Sequence, residues 1–224
     1  MTAQKLKLKK RKEQKTKLSS KVKMKQKIAL HALRKQLQVI KLREVIILSS
    51  FILGAGLLRV PMQVLPSAEP ITFFALLGGW LFGRKKGFMV GAGALITSNF
   101  FVLGGHGPWT IFQALGFGLA GYLGGFLKEK SGYVKTAVVA VLATLVFEAV
   151  INLGSMLVFP AGFLVIITAL PFIAVHLVSN LIFSFGLPKA RRLIHEKGQF
   201  NEKALCHELI AQLKRNDRMP KSKQ

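Results

Sequence analysis

The feature that most constrains this chain is the separation of its charge from its apolar residues. Residues 45–187 form an apolar, glycine-rich stretch cut by short loops. Nearly all of the 33 Lys and Arg residues lie outside that stretch or in its loops. A water-soluble domain mixes the two kinds of side chain. A chain that is 51% hydrophobic and still carries a formal net charge of +24 is expected to be an all-α integral membrane protein. The reading is six transmembrane helices, both termini cytoplasmic, flanked by amphipathic basic helices. In domain terms it is a basic N-terminal tail (1–43), a six-helix membrane domain (44–187) and a basic C-terminal tail (188–224).

Taken in order, residues 1–17 are a basic, low-complexity run. They read as a solvated tail or as a segment drawn to anionic lipid headgroups. RNA would attract the same charges, but no aromatic side chain is interleaved for base stacking, so no nucleic-acid partner is expected. Over 18–44 the residues Leu30, Leu33, Leu37 and Ile40 recur at helical spacing between Lys and Arg, which predicts an amphipathic helix. The basic lead is far too long for the n-region of a cleavable signal, so the first apolar run is expected to act as a retained signal-anchor.

The six spans are expected at about 44–63, 70–83, 88–103, 110–127, 136–158 and 163–186. Three prolines break the first loop. GRKKG, LKEKSGYVK and FPAG supply later connections. The second span is short against the roughly 20 residues a crossing needs. It is counted because of charge. Sixteen Lys and Arg precede residue 44, three lie in 84–86, three in 128–135 and ten after 187. With six spans all of these fall on one side, and only Arg59 falls elsewhere. By the positive-inside rule that side is cytoplasmic. A last helix is expected in the C-terminal tail, with Asn201 as N-cap and Leu205, Leu209, Ile210 and Leu213 on its apolar face.

Polar side chains then gather towards the outer side: Arg59, Glu69, Asn99, Trp109, Gln113, Glu148 and Asn152. His176 and Asn180, four apart, lie at mid-depth. A polar group in a span normally faces a partner or a cavity, so these nine residues are the candidate substrate-binding set. For each a structural role stands beside the functional one. Glu148 is the only acid deep in a span, and it either binds a ligand or pairs with another helix, with Arg59 as the nearest imagined partner. His176 and Asn180 suit helix-to-helix hydrogen bonds. Trp109 suits an interfacial anchor, and Arg59 can snorkel to headgroups. Gly104–Gly125 combines a polar, kinked start (His106, Pro108, Trp109) with a helix whose face is small: Ala114, Gly118, Gly121, Gly125. Small faces admit close helix approach.

Motifs for chemistry are missing. GxxxxGK[ST], HExxH and GxSxG do not occur, so the chain is read as a non-enzyme without cofactor. Cys206 is the only cysteine, which excludes an internal disulfide and a cysteine-based metal site. His106, His176 and one Glu do not make a ligand-spacing motif.

Four stretches carry a resemblance: LRVPM, EPITFFALLGGWLFGRKKGFMVGA, GPWTIFQALGFGLAGYLGG and LPFIAVHLVSNLIF. Over residues 57–187 the chain resembles the substrate-binding S component of energy-coupling factor (ECF) vitamin transporters. The resemblance implies capture of a vitamin-like micronutrient from the outer side, and delivery through a membrane T component driven by two separate ATPase subunits. It also implies a prokaryotic plasma-membrane location. The GPWT-FQ patch suggests a corrinoid as cargo. The family docks its partner through an alanine AxxxA pattern on the first helix. Here Ser50 and Gly54 give SxxxG, which leaves the register of docking in question. Two other readings compete: a stand-alone carrier coupled to protons through Glu148, and a membrane scaffold acting through its basic tails. The absence of an internal repeat weighs against the carrier.

Overall fold

The computed structural model describes residues 3–159, 163–198 and 201–218. These form eight helices: α1 (Ala3–Met62), α2 (Ile71–Phe82), α3 (Arg84–Ser98), α4 (Trp109–Gly124), α5 (Tyr133–Val158), α6 (Leu164–Ser184), α7 (Leu187–Gly198) and α8 (Asn201–Arg218). Residues 160–162 of the expected FPAG connection lie outside the described residues.

Two compact units divide the chain, residues 1–43 with 199–224, and residues 44–198. In the first, the early part of α1 and α8 come together. Gln36 Nε2 donates to Glu202 Oε2 at 3.2 Å, and Cys206 is buried. The stretch read as a solvated tail, 1–17, is helical from Ala3 onward. Two helices follow residue 186 where one was expected, because α7 precedes α8.

The second unit holds the apolar helices. Three stretches are long and apolar enough to cross a membrane: Ser20–Met62 within α1, Tyr133–Val158 and Leu164–Ser184. Ile71–Phe82 is apolar but shorter. At 1.5 Å per residue, α2, α3 and α4 are only about 18, 22 and 24 Å long, against a hydrocarbon layer of about 30 Å.

Local chemistry explains the boundaries. α2 stops at Gly83, whose φ of 93° is a left-handed conformation that glycine adopts without strain. α3 begins at the next residue, so Arg84, Lys85 and Lys86 form a helical turn and not a loop. Contacts fix the directions of the elements. α1 and α3 run parallel, with Glu44 paired to Lys86 at one end and Arg59 bonded to Ser98 at the other. Gly79 meets Gly121 and Gly87, Gly91 meets Phe117, and Gly154 meets Phe112. The last part of α1 and helices α2 to α6 therefore alternate in direction. All three chain reversals at the Arg59 end lack Lys and Arg, while Arg84, Lys85, Lys86, Lys128, Lys130, Lys189, Arg191 and Arg192 mark the opposite, Lys86 end.

Glycines hold α2, α3 and α4 at backbone contact. A Cβ on Gly79 or Gly87 would run into the carbonyl oxygen of Gly121, and one on Gly121 into that of Gly87. Such approach maximises dispersion contact between helices, the main attraction available when the surroundings are as apolar as the side chains. Two buried clusters lie around this junction. One, towards the Lys86 end, includes Leu76, Leu77, Trp80, Val90 and Leu127. The other, towards the Arg59 end, comprises Ala55, Ile71, Ala94, Leu95, Phe117 and Phe147.

α6 is polar inside and apolar outside. Its only buried residues are His176, Asn180 and Ser184, one turn apart, while Leu170, Phe172, Val178 and Ile182 are exposed. In water that distribution would be unfavourable. In lipid it is the favourable one.

Gly87→Val or Gly121→Val is expected to lower the thermal stability of the detergent-solubilised chain sharply. Overpacking costs about 1–3 kcal/mol, and more where backbone must yield. Gly54→Ala, where a Cβ would meet nothing within 4 Å, should change it by less than about 1 kcal/mol. Melting curves of the three variants check both expectations.

Candidate functional site

The Arg59 end carries two buried polar networks. The first is built on loops. After α1 the chain passes through Ser67, a non-glycine residue at φ 65°, an uncommon conformation that marks a constrained turn. The turn buries Ala68 and brings Glu69 back to Arg59, whose Nη2 lies 3.0 Å from Glu69 Oε1. Arg59 Nη1 also donates to Ser98 Oγ at 3.0 Å and Asn99 Oδ1 at 2.9 Å. Asn99 Nδ2 donates to Thr110 Oγ1 at 3.3 Å. The expectation that Arg59 serves Glu148 is therefore corrected. Glu69, ten residues along the chain, reaches it first.

Residues 99–108 are not helical, yet their polar backbone is largely satisfied within the chain. Phe101 and Val102 N–H donate to Ser98 O, Leu103 N–H to Gln63 Oε1, and Gly107 N–H to Thr110 Oγ1. Such bonding is what allows irregular backbone to exist beside a bundle core at membrane depth.

The second network links α5 to α6. His176 Nδ1 lies 2.6 Å from Glu148 Oε1. One turn along, Asn180 Nδ2 donates to Thr144 Oγ1 at 2.9 Å. Because the helices are antiparallel, the i, i+4 spacing on each makes two matched rungs. Asn152 Nδ2 donates to the Glu148 backbone carbonyl at 2.8 Å and to its Oε2 at 3.3 Å. Phe147 meets the His176 ring edge-on, with centroids 5.1 Å apart, and Phe117 lies 6.4 Å away. Ser179 Oγ donates to Ser67 O at 3.4 Å, which brings α6 against the loop that carries Glu69.

Five buried polar atoms at this end have no hydrogen-bond partner among the described residues: Glu69 Oε2, Thr72 Oγ1, Gln113 Oε1, His176 Nε2 and Asn180 Oδ1. A buried polar group left unmatched costs about 1–3 kcal/mol. Of these, His176 touches the Phe117–Phe147 aromatic pair, Thr72 follows buried Ile71 in the sequence, and Gln113 sits one turn before Phe117. Four of the five are carbonyl, carboxylate or hydroxyl oxygens, so the group is richer in acceptors than in donors.

Of the nine predicted residues, Arg59, Glu69 and Asn99 share the first network, and Glu148, Asn152, His176 and Asn180 the second. Gln113, on α4, joins neither, and its carbonyl oxygen has no partner among the described residues. Trp109 joins neither network. It is half-buried, and its ring packs on Gly107. Ser50 and Gly54, the predicted docking pair, lie on α1. Ser50 is exposed with its hydroxyl turned back to Ile46 O, beside exposed Ile46, Leu53 and Leu57. Thr72 and Thr110 read from the sequence as polar residues of the outer side but stand outside the candidate set, and sequence reading missed Ser98 and Thr144. Thr144 was detectable, since it lies one turn from Glu148 on the same face.

Leaving Glu148 without its partner should be costly. His176→Leu is expected to destabilise the chain by about 3 kcal/mol, and Glu148→Leu combined with His176→Leu by much less, since removing both halves of a buried pair leaves no uncompensated charge. Unfolding of the two variants in one detergent gives the comparison.

No curated protein and no solved structure matches this chain. A family model does match residues 40–201, which takes in both networks and every predicted site residue. The chain therefore belongs to DUF6580, a family of unknown function.

Proposed function

We propose that this protein is a solute-binding membrane subunit of the ECF S-component type, capturing a small polar micronutrient at the Arg59 end and passing it to separate energising partners. The observation that carries the reading is the set of five buried polar atoms without a partner among the described residues, one of them on His176 against the Phe117–Phe147 pair. A donor-bearing solute would satisfy them. The resemblance over residues 57–187 points the same way. So does the open small-residue face of α1 at Ser50 and Gly54, which offers a place for a T component.

In this reading all six apolar segments span, with α2, α3 and α4 as short members, and the Arg59 end faces outward across the plasma membrane. Both termini lie on the cytoplasmic side. Support comes from the alternating helix directions and from the basic residues gathered at the Lys86 end. The chain has no nucleotide-binding motif, so the energy is supplied by ATPase subunits and not by this protein.

A second reading has its own observation. The Glu148–His176 pair joins two helices by two titratable groups, as a proton-coupled carrier requires. It predicts uptake by proteoliposomes of the chain alone, abolished by Glu148→Gln.

Purification from the native host in mild detergent, followed by native mass spectrometry, should show a bound small molecule with T-component and ATPase partners. Gln113→Leu and Asn180→Leu should each lose most of the bound molecule while remaining folded. A chain that carries no solute and takes one up unaided in proteoliposomes overturns the subunit reading. In a Cys206→Ser background, single cysteines at His106 and Glu129 should be labelled from opposite sides of intact cells, the first by a membrane-impermeant reagent. Equal labelling of both rejects the orientation.

A further inference from the structure

The Lys86 end holds a second built site, unrelated to the polar networks. A cavity of about 460 Å³ opens between the α4–α5 loop and the start of α7. Lys130, Lys189, Arg191 and Arg192 line it, with Glu129 as the one acidic group and Trp80 as an aromatic wall. Arg191 is the fixed element. Its guanidinium lies 5.1 Å from the Trp80 ring centre, and Nη1 donates to the Glu129 carbonyl at 3.1 Å. Trp80 is itself held, by Nε1 donating to Lys128 O at 2.9 Å. Arg191 Nε is buried and has no hydrogen-bond partner among the described residues. The Glu129 carboxylate is 3.9 Å from Arg191 and its side chain is 71% exposed. It therefore offsets little of the positive charge.

Two further features favour an anion there. The N-terminal turns of α5 and α7 both reach the cavity, through Tyr133 and Pro188, and neither has an acidic residue in its first turn. Their leading N–H groups add a partial positive charge. The surroundings then choose among anions. Tyr133 in the cavity wall and Val134 after it, at the start of α5, are exposed, as is Phe185 at the end of α6, and α5 and α6 are membrane-length helices. A free phosphate has no use for them, but the acyl chains below a lipid headgroup do.

We infer that this cavity is a specific binding site for the phosphate headgroup of an anionic phospholipid, with Arg191 as the oriented ligand and Lys130, Lys189 and Arg192 as surrounding charges. Arginine presents a planar fork suited to phosphate oxygens, and the three long side chains close around it as point charges. The site needs only that the 44–198 unit lies in a bilayer, and it is independent of what is captured at the Arg59 end.

The test compares the full-length chain with the Lys130→Gln/Lys189→Gln/Arg192→Gln variant. All three positions are exposed, so the fold is not at risk. Arg191→Lys serves as a second variant that keeps the charge and removes the fork. Phosphatidylglycerol, phosphatidylcholine and inorganic phosphate are titrated in detergent and followed by native mass spectrometry. The basic N-terminal segment is present in every protein, so differences report the cavity. Phosphatidylglycerol should bind the parent chain at one saturable site in preference to phosphatidylcholine. The triple variant should lose about a hundredfold in affinity, at roughly fivefold per charge, and Arg191→Lys should bind measurably more weakly than the parent. Equal binding of the two lipids, or parent-like binding by both variants, overturns the inference. Displacement of phosphatidylglycerol by inorganic phosphate at equal concentration rejects the lipid as occupant and leaves a free-anion site.

Discussion

Backbone contact among α2, α3 and α4 is the constraint on which the rest of this structure depends. Gly79, Gly87 and Gly121 bring three helices closer than any side chain allows. Three short helices, none longer than 16 residues, are joined where dispersion contact is densest. Their shortness has a consequence. At the Arg59 end α3 stops at Ser98 and α4 starts at Trp109, so ten residues of loop occupy space that a longer helix would have filled. Loop backbone can bend polar groups inward, and Asn99 does so, meeting Thr110 of the first turn of α4. The glycine junction at one end thus makes room for the polar networks at the other.

The energetics of the two networks differ in kind. Arg59 is matched by a carboxylate, a hydroxyl and an amide oxygen, and its role is to tie α1, the 63–70 loop and α3 together. The α5–α6 rungs also tie elements together, but each leaves an atom over: Nε2 of His176 and Oδ1 of Asn180. A network built only for cohesion gains by closing all its bonds. The Arg59 cluster leaves Glu69 Oε2 over as well, so the binding reading rests on unmatched atoms drawn from both networks.

Much of the fold was legible because apolar length and charge are read directly from the chain. α5 and α6 fall within three residues of their expected bounds. The misplaced elements share a cause: short-range signals were overridden by what the residues touch. GRKKG looks like a turn by composition, yet a single glycine suffices to reverse the chain, and the basic residues continue as helix with Lys86 anchored on Glu44. One helix was expected in the tail after 187, from Asn201, but a proline in a helix's first turn is well placed, Leu187 is fully buried, and α7 forms there as well. In the site, i, i+4 spacing correctly grouped Glu148 with Asn152 and His176 with Asn180. It could not reveal which helix faced which. Assigning Glu148 to Arg59 failed because the left-handed Ser67, invisible in composition, folds Glu69 back onto the arginine.

The two ends of the 44–198 unit now stand in contrast. At the Arg59 end the one cation is neutralised by Glu69 and the remaining unmatched groups are mainly acceptors. At the Lys86 end cations outnumber acids, and one guanidinium nitrogen is buried without a hydrogen-bond partner among the described residues. A bilayer with anionic headgroups supplies negative charge at high local density, so unmatched cations at a membrane surface carry little cost. Unmatched acceptors in a bundle interior have no such general supply and require a particular partner. The two proposals thus rest on one physical condition, an incomplete set of polar contacts, that differs in sign between the two ends: mainly acceptors at one, cations at the other.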